Sequence, residues 1–133
     1  MKFRLNKKTG YWETEASFKG CAISIAIDKS YPKEELSQRT NAAVKRVRER
    51  WGDIQDNIVD ALLETHNESW ADPDEGFPEL TRESFLSKVV LHQIQLMEED
   101  SLTLYFTDSE IFGGHLIDVF WTTETMYPAT LAG

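Results

Sequence analysis

Apolar side chains recur every three or four residues through the middle of the chain. Such spacing keeps residues on one face of an α-helix. The stripe comprises Val44, Val47, Trp51, Ile54, Ile58 and Ala61. Pro32, followed by Glu34 and Glu35, is typical of a helix start, where acidic side chains meet the positive end of the helix dipole. The pattern predicts a helix from about residue 33 to residue 65, roughly 50 Å long at the usual helical rise.

A glycine and a change of charge interrupt this predicted helix. Gly52 falls inside the stripe, where glycine costs about 1 kcal/mol relative to alanine. Basic residues precede it and acidic residues follow it, which suits the dipoles of two half-helices better than that of one helix. The basic residues are Lys45, Arg46, Arg48 and Arg50. Because the apolar stripe keeps its phase, the sequence predicts one helix with a kink at Gly52.

Strand patterns lie on both sides of the helix. Residues 11–18 and 21–27 alternate apolar and polar side chains, with Lys19-Gly20 between them as a tight turn. In the second strand Cys21, Ile23, Ile25 and Ile27 share one face, which places Cys21 in the predicted core. After the helix, strands are predicted at residues 89–97, 102–107 and 116–122, and Thr81 is the predicted cap of a short helix carrying Phe85.

The order of elements predicts the fold class. A β-β-β-α-α-β-β-β order in 133 residues predicts a single α+β domain spanning residues 1–133, with the helices covering one face of a largely antiparallel sheet. The predicted buried residues are Ile23, Ile25, Ile27, Val47, Trp51, Ile54, Ile58, Leu104, Phe106 and Val119.

Charge is distributed unevenly along the chain. Residues 1–50 carry 12 basic and 6 acidic residues, whereas residues 51–133 carry 2 basic and 17 acidic residues, giving a net charge of −9. This charge argues against nucleic acid or an anionic membrane as the partner. The start lacks the apolar core of a signal peptide, and a single cysteine cannot form an internal disulfide. The expected location is the cytoplasm.

The acidic half contains the first-choice binding surface. The acidic row, defined as Asp53, Asp56, Asp60 and Glu64, has the spacing of one helix side. The acidic loop, defined as Asp72, Asp74 and Glu75, extends it. A solvated helix face is an alternative interpretation, but such faces usually mix charge signs, and residues 51–81 contain no Lys or Arg. The second-choice surface is the turn acids, defined as Glu98, Glu99, Asp100, Asp108 and Glu110.

Catalytic and metal-binding patterns are absent from the sequence. His66, His92 and His115 form no pair with the spacing of zinc ligands. A Cys21–His115 pair has the residue types of a nucleophile and its base, but the apolar alternation around Cys21 favours a core position. Gly113-Gly114 indicates a corner that leads into a strand, with His115 as a hydrogen-bonded structural residue and Asp118 exposed. We therefore expect no catalytic residue, no metal site and no cofactor.

Two short motifs resemble those of a family of small bacterial domains of unknown function. An Asn-x-x-Trp element ends the long helix as Asn67-Glu68-Ser69-Trp70, and a Phe-x-Gly-His-x-hydrophobic-x-Val segment follows as Phe112 to Val119. The resemblance covers residues 10–122 and implies no catalytic residue. Small acidic bacterial domains of this kind are frequent among immunity proteins for polymorphic and contact-dependent growth inhibition toxins, an association rather than a deduction from fold.

These observations together favour a binding protein over an enzyme. The expected function is that of an immunity protein which neutralises a cognate toxin domain of basic charge, with a nuclease as one candidate, since an acidic protein is steered rapidly to a basic site. The alternatives are a housekeeping binding or regulatory module and, third, a hydrolase with an unrecognised site. The sequence does not fix the oligomeric state or the identity of the toxin.

Overall fold

A seven-stranded sheet organises the protein. The computed structural model describes residues 1–132. Every neighbouring pair of strands is antiparallel except β3 and β4, which are parallel, and the spatial order of the strands follows the chain. The strands are β1 (Arg4–Asn6), β2 (Tyr11–Phe18), β3 (Cys21–Asp28), β4 (Val90–Leu96), β5 (Leu102–Thr107), β6 (Leu116–Trp121) and β7 (Thr130–Ala132). The α+β prediction is confirmed, and the short strand β7 is an addition to it.

The three α-helices of residues 1–132 lie in the connection between the two parallel strands. They are α1 (Leu36–Glu49), α2 (Trp51–Thr65) and α3 (Arg82–Lys88), with a π-helical turn at His66–Trp70. Thr81 caps α3 as predicted, because its hydroxyl accepts from the Ser84 N–H while the Ser84 hydroxyl accepts from the Thr81 N–H. In the part of the chain that the structure describes, no helix is long and apolar enough to cross a membrane.

The interruption of the long helix lies at Arg50 rather than at Gly52. Arg50 leaves the helical region with φ −109° and ψ 18° and separates α1 from α2, whereas Gly52 lies in the first turn of α2. Backbone hydrogen bonds continue across the junction, from Arg50 N–H to Arg46 O and from Ile54 N–H to Arg50 O. The apolar stripe therefore stays in phase, as the sequence predicted, although the position of the break was wrong by two residues.

The helices cover one face of the sheet and form the core with it. Nine of the ten predicted core residues are buried, among them Val47, Ile54 and Ile58 on the helices. The tenth, Trp51, is half-buried, and its ring packs between those of Phe18 and Phe106 at centroid distances of 5.0 and 6.1 Å. None of the helices or strands within residues 1–132 forms a second layer over the opposite face of the sheet, which is common in antiparallel sheets.

The prediction that Cys21 is a core residue was wrong. Cys21 is exposed, because it is the first residue of β3 and lies beside the two-residue turn Lys19-Gly20 at the tip of the β2–β3 hairpin. Both turn residues have positive φ, as such a tight hairpin connection requires. The alternation of Ile23, Ile25 and Ile27 includes Cys21 as its first member. The sequence pattern therefore does not show that Cys21 lies beyond the part of the sheet that the helices cover.

One arginine attaches α1 to the loops at one end of the sheet. The Arg46 guanidinium donates from Nη1 to Asp100 O and from Nη2 to Thr122 O, both at 2.7 Å, and lies 4.2 Å from the centre of the Trp121 ring. Burial lowers the pKa of Arg46, while the nearby Asp100 carboxylate opposes that shift. The guanidinium thus holds two separate turns of the sheet to one helix.

We expect Arg46→Met to lower the free energy of unfolding by about 2 kcal/mol, because the variant keeps the apolar stem but loses two charged hydrogen bonds and the contact with Trp121. Urea denaturation followed by circular dichroism measures the change. Arg48→Met is the matched control, since Arg48 is exposed on the same helix. Equal stability of the two variants would contradict the structural role of Arg46.

Candidate protein-binding surface

The acidic row lies on the solvent side of α2, beside the segment that connects β6 to β7. Asn57, on the same helix, fixes this segment. Its Nδ2 donates to Tyr127 O at 2.8 Å and its Oδ1 accepts from the Ala129 N–H at 2.9 Å. One asparagine therefore holds a stretch of irregular chain against the acidic side of the helix.

A shallow groove results between the helix and this segment. Asp53, Asp56 and Asp60 line one wall of the groove, while Met126 and Pro128 contribute apolar surface from the other side. Its volume is about 460 Å³. Carboxylates beside a strip of apolar surface match the usual anatomy of a protein interface, in which a polar rim surrounds an apolar centre. We name this feature the α2 groove.

Two flanking arginines neutralise part of the acidic row. Arg50 donates from Nε to Asp53 at 2.6 Å, and Arg82 donates from Nη2 to Asp56 at 2.5 Å. Both pairs are about half exposed, so each contributes little to stability. Asp60 and Glu64 have no ion-pair partner within residues 1–132. The unpaired negative charge is therefore concentrated at the C-terminal half of α2.

The acidic loop is exposed, and its conformation is held by hydrogen bonds that do not involve the acidic row. Asp72 and Phe77 exchange backbone hydrogen bonds, which close the loop, and the Phe77 side chain is 54% exposed at its end. Asn67 anchors the far end, because its side-chain amide both donates to Leu80 O and accepts from the Leu80 N–H at 2.9 Å. No ion pair or hydrogen bond in the described part of the chain joins Asp72, Asp74 or Glu75 to the acidic row.

The turn acids do not form one surface. Glu98, Glu99 and Glu110 are exposed, but Asp100 is already paired with Arg39 at 2.8 Å and lies beside the Tyr31 hydroxyl. Burial raises the pKa of Tyr31, and the Asp100 carboxylate adds to that shift while the Asp100 backbone hydrogen bond opposes it. Asp100 therefore serves the attachment of α1 to the sheet.

Asp108 does not belong to any accessible surface. It is only 3% exposed, and its carboxylate accepts from three backbone N–H groups. These are Glu110 N at 3.0 Å, Phe112 N at 3.0 Å and Gly114 N at 3.1 Å. Placing Asp108 among the partner-binding residues was therefore a wrong prediction, because the carboxylate is used to hold the loop between β5 and β6.

The two motif segments meet at this loop. Trp70 packs edge-on against Phe112 and His115 at 5.7 and 5.8 Å, and a side chain at Gly113 would lie 3.3 Å from the Trp70 ring. His115 Nδ1 is 2.5 Å from Phe112 O, which confirms a structural role for His115. Gly113 and Gly114 have positive φ, as expected of the predicted corner. The residues of the two motifs thus pack against one another and stabilise the loop between β5 and β6.

Several contributors to the α2 groove were not predicted from the sequence. Asn57 is a polar residue between acidic neighbours on the exposed side of a helix, and Met126 and Pro128 lie in a segment without any periodic pattern. No sequence signal identifies them, because their roles depend on where the β6–β7 connection returns to α2. Within residues 1–132, no group of three or more His, Cys, Asp and Glu side chains has a geometry that could hold a metal ion.

One family of known sequences matches almost the whole length of the chain. A family model described as an uncharacterized protein conserved in bacteria, DUF2262, matches residues 1–127. No curated protein and no solved structure matches the chain. Since the model spans nearly all of the sequence, the protein belongs to the bacterial DUF2262 family.

Proposed function

We propose that the protein is a binding protein without catalytic activity, and specifically a cytoplasmic immunity protein that neutralises a basic toxin domain. The α2 groove carries this proposal. Its wall of carboxylates includes the unpaired Asp60, and the unpaired Glu64 follows one turn along the helix. These acids are complementary to a surface rich in Lys and Arg, and the apolar side of the groove offers area that can be desolvated on binding.

The charge of the whole chain supports the same function. A net charge of −9, concentrated after residue 50, accelerates the encounter with a positively charged partner by long-range attraction. An inhibitor must capture its toxin before damage occurs, so a fast association rate is useful to it. Membership of a bacterial family is compatible with this function and adds no further detail.

Co-expression tests the proposal most directly. Where a neighbouring gene encodes a large secreted protein, the C-terminal domain of that protein is expressed together with the chain, and cell survival and co-purification are scored. We expect the toxin domain to kill cells when it is alone and to be harmless and co-purified when the chain is present. Cell death in the presence of well-expressed, folded chain would contradict the proposal.

We expect charge reversal in the acidic row to weaken the complex. In the variant Asp56→Lys, Asp60→Lys, Glu64→Lys, the association rate at low salt should fall about tenfold or more and lose most of its salt dependence. The three residues are exposed, so the melting temperature should change little. Stopped-flow or surface plasmon resonance measurements at several salt concentrations give the rates.

The control for this prediction carries the same change of charge on another surface. Glu98→Lys, Glu99→Lys, Glu110→Lys uses the three exposed members of the turn acids and should leave more of the association rate intact. If the control variant loses more affinity than the acidic-row variant, the interface lies at the turns. If neither variant changes binding, the charge asymmetry serves solubility alone.

A further inference from the structure

The uncovered face of the sheet contains a depression at its centre. The sheet alternation directs Tyr11 and Glu13 of β2, Ala26 of β3, Gln93 of β4 and Tyr105 of β5 to the side away from the helices. Three strand spacings, about 14 Å, separate the backbones of β2 and β5. The small Ala26 and the glutamines lie between two tyrosines, and the resulting trough encloses about 270 Å³.

A β-bulge adds a further group to the trough. The β4–β5 register shifts between Leu91 and Gln93, which leaves His92 without a partner in the ladder, and His92 lines the trough. Bulges are frequent beside functional sites because they change the direction of one side chain. The walls therefore combine two phenol rings, carboxamides, an imidazole and the Glu13 carboxylate.

Two carboxylates lie in or beside the trough, that of Glu13 in its wall and that of Asp118 next to Tyr105. Burial raises the pKa of the Tyr105 phenol, and the proximity of Asp118 and of Tyr11 raises it further. Asp118 faces Tyr105 across the β5–β6 register and was expected to be exposed, but it is half-buried and accepts a hydrogen bond from Thr130. Arg4 is the register neighbour of Glu13, yet no ion pair joins them, and Glu13 accepts only from the Asn6 amide at 3.3 Å among the described residues.

We propose that this trough binds an organic cation with a guanidinium or ammonium head, held between the Tyr11 and Tyr105 rings and paired with Glu13. Aromatic faces attract such cations, and the attraction increases when water is partly excluded. The amides of Gln93 and Gln95 supply oxygen acceptors for the remaining N–H groups. An anionic ligand is disfavoured by Glu13 and Asp118, and a second copy of the same face is disfavoured by the same charges.

This proposal goes beyond the proposed function, because the trough lies on the opposite side of the sheet from α2. The cation has two possible sources, namely a free metabolite or a Lys or Arg side chain of a bound protein. The affinity of the trough for a small compound that carries only the cationic group distinguishes these two sources. A dissociation constant below about 1 mM indicates a free metabolite, and one of about 1–10 mM indicates a side chain that needs only a modest affinity of its own.

The test is a titration of the ¹⁵N-labelled protein with Nα-acetyl-arginine amide, followed by NMR chemical shifts. Nα-acetyl-citrulline amide is the neutral control of nearly identical shape. We expect saturable shifts at Tyr105 and at the side-chain amides of Gln93 and Gln95 with the arginine compound, and none with the citrulline compound. Shifts that do not saturate, or that are equal for both compounds, would overturn the proposal.

Two substitutions on one strand sharpen the result. Glu13→Gln should weaken binding about fivefold, because it removes the charge and keeps the shape. Glu15→Gln is the matched control, since Glu15 is exposed on the same face of β2 but does not line the trough, and its affinity should change less than about twofold. Equal effects of the two variants on the affinity, or chemical shift changes centred on α2, would overturn the proposal of a cation site. Neither result bears on the immunity function, which the co-expression experiment tests separately.

Discussion

Asp108→Ala is expected to lower the free energy of unfolding by about 3 kcal/mol, since it leaves three backbone N–H groups of a tight loop without their acceptor. The Asp108 carboxylate binds the N–H groups of Glu110, Phe112 and Gly114, and one of these bonds is fully buried. Urea denaturation gives the change in stability. Amide hydrogen exchange should show the greatest loss of protection at Phe112 and Gly114.

Two further variants make this prediction specific. Asp108→Asn should have an intermediate effect, because one amide oxygen can still accept from Phe112 and Gly114 while the Glu110 N–H loses its partner. Asp74→Ala removes an exposed carboxylate and should change stability by less than about 0.5 kcal/mol. If Asp108→Ala is no more destabilised than Asp74→Ala, the carboxylate does not support the loop.

Ile58→Ala is expected to lower the free energy of unfolding by about 4 kcal/mol, more than Asp108→Ala. Ile58 is only 1% exposed and belongs to the core that the helices form with the sheet, and the shorter side chain would leave a cavity that the neighbouring elements cannot fill. Differential scanning calorimetry or urea denaturation would measure the loss. Because the acidic row is untouched, the variant should still bind its partner wherever it remains folded.

The matched control for Ile58 lies two residues further along the same helix. Asp60→Ala truncates an exposed side chain on the opposite side of α2 and should leave the stability within about 0.5 kcal/mol of the original protein. Comparable losses in Ile58→Ala and Asp60→Ala would mean that the apolar stripe does not face the core, and the assignment of the acidic row to solvent would fail with it.

The spacing of apolar residues correctly predicted the burial of Ile58, because this spacing depends only on the local geometry of the helix. A helix buries one stripe, so the spacing of apolar residues records which side faces the sheet, and the same reasoning predicted the alternating isoleucines of β3. The cap at Thr81 and the turn at Lys19-Gly20 were predictable for the same reason, since each depends on a few neighbouring residues.

Asp108 and the α2 groove were not predictable in this way. An aspartate in a polar stretch is usually exposed, and only the return of Phe112 and Gly114 to the same point makes the Asp108 carboxylate a buried acceptor. The groove depends on Asn57 meeting residues 70 and 72 positions later in the chain. The trough on the open face depends on the register of four strands, which the alternation of single strands does not determine.

The single parallel strand pair has a consequence for how the chain folds. β1–β3 and β4–β7 are each joined through short connections, so both halves of the sheet can form from local contacts. The parallel pairing of β3 with β4 must close a loop that contains α1, α2 and α3, and the entropy cost of that closure comes before any stabilising contact between the two strands. The strand pairing between residues farthest apart in sequence is thus that of β3 with β4, and we expect the formation of this pair to limit the folding rate.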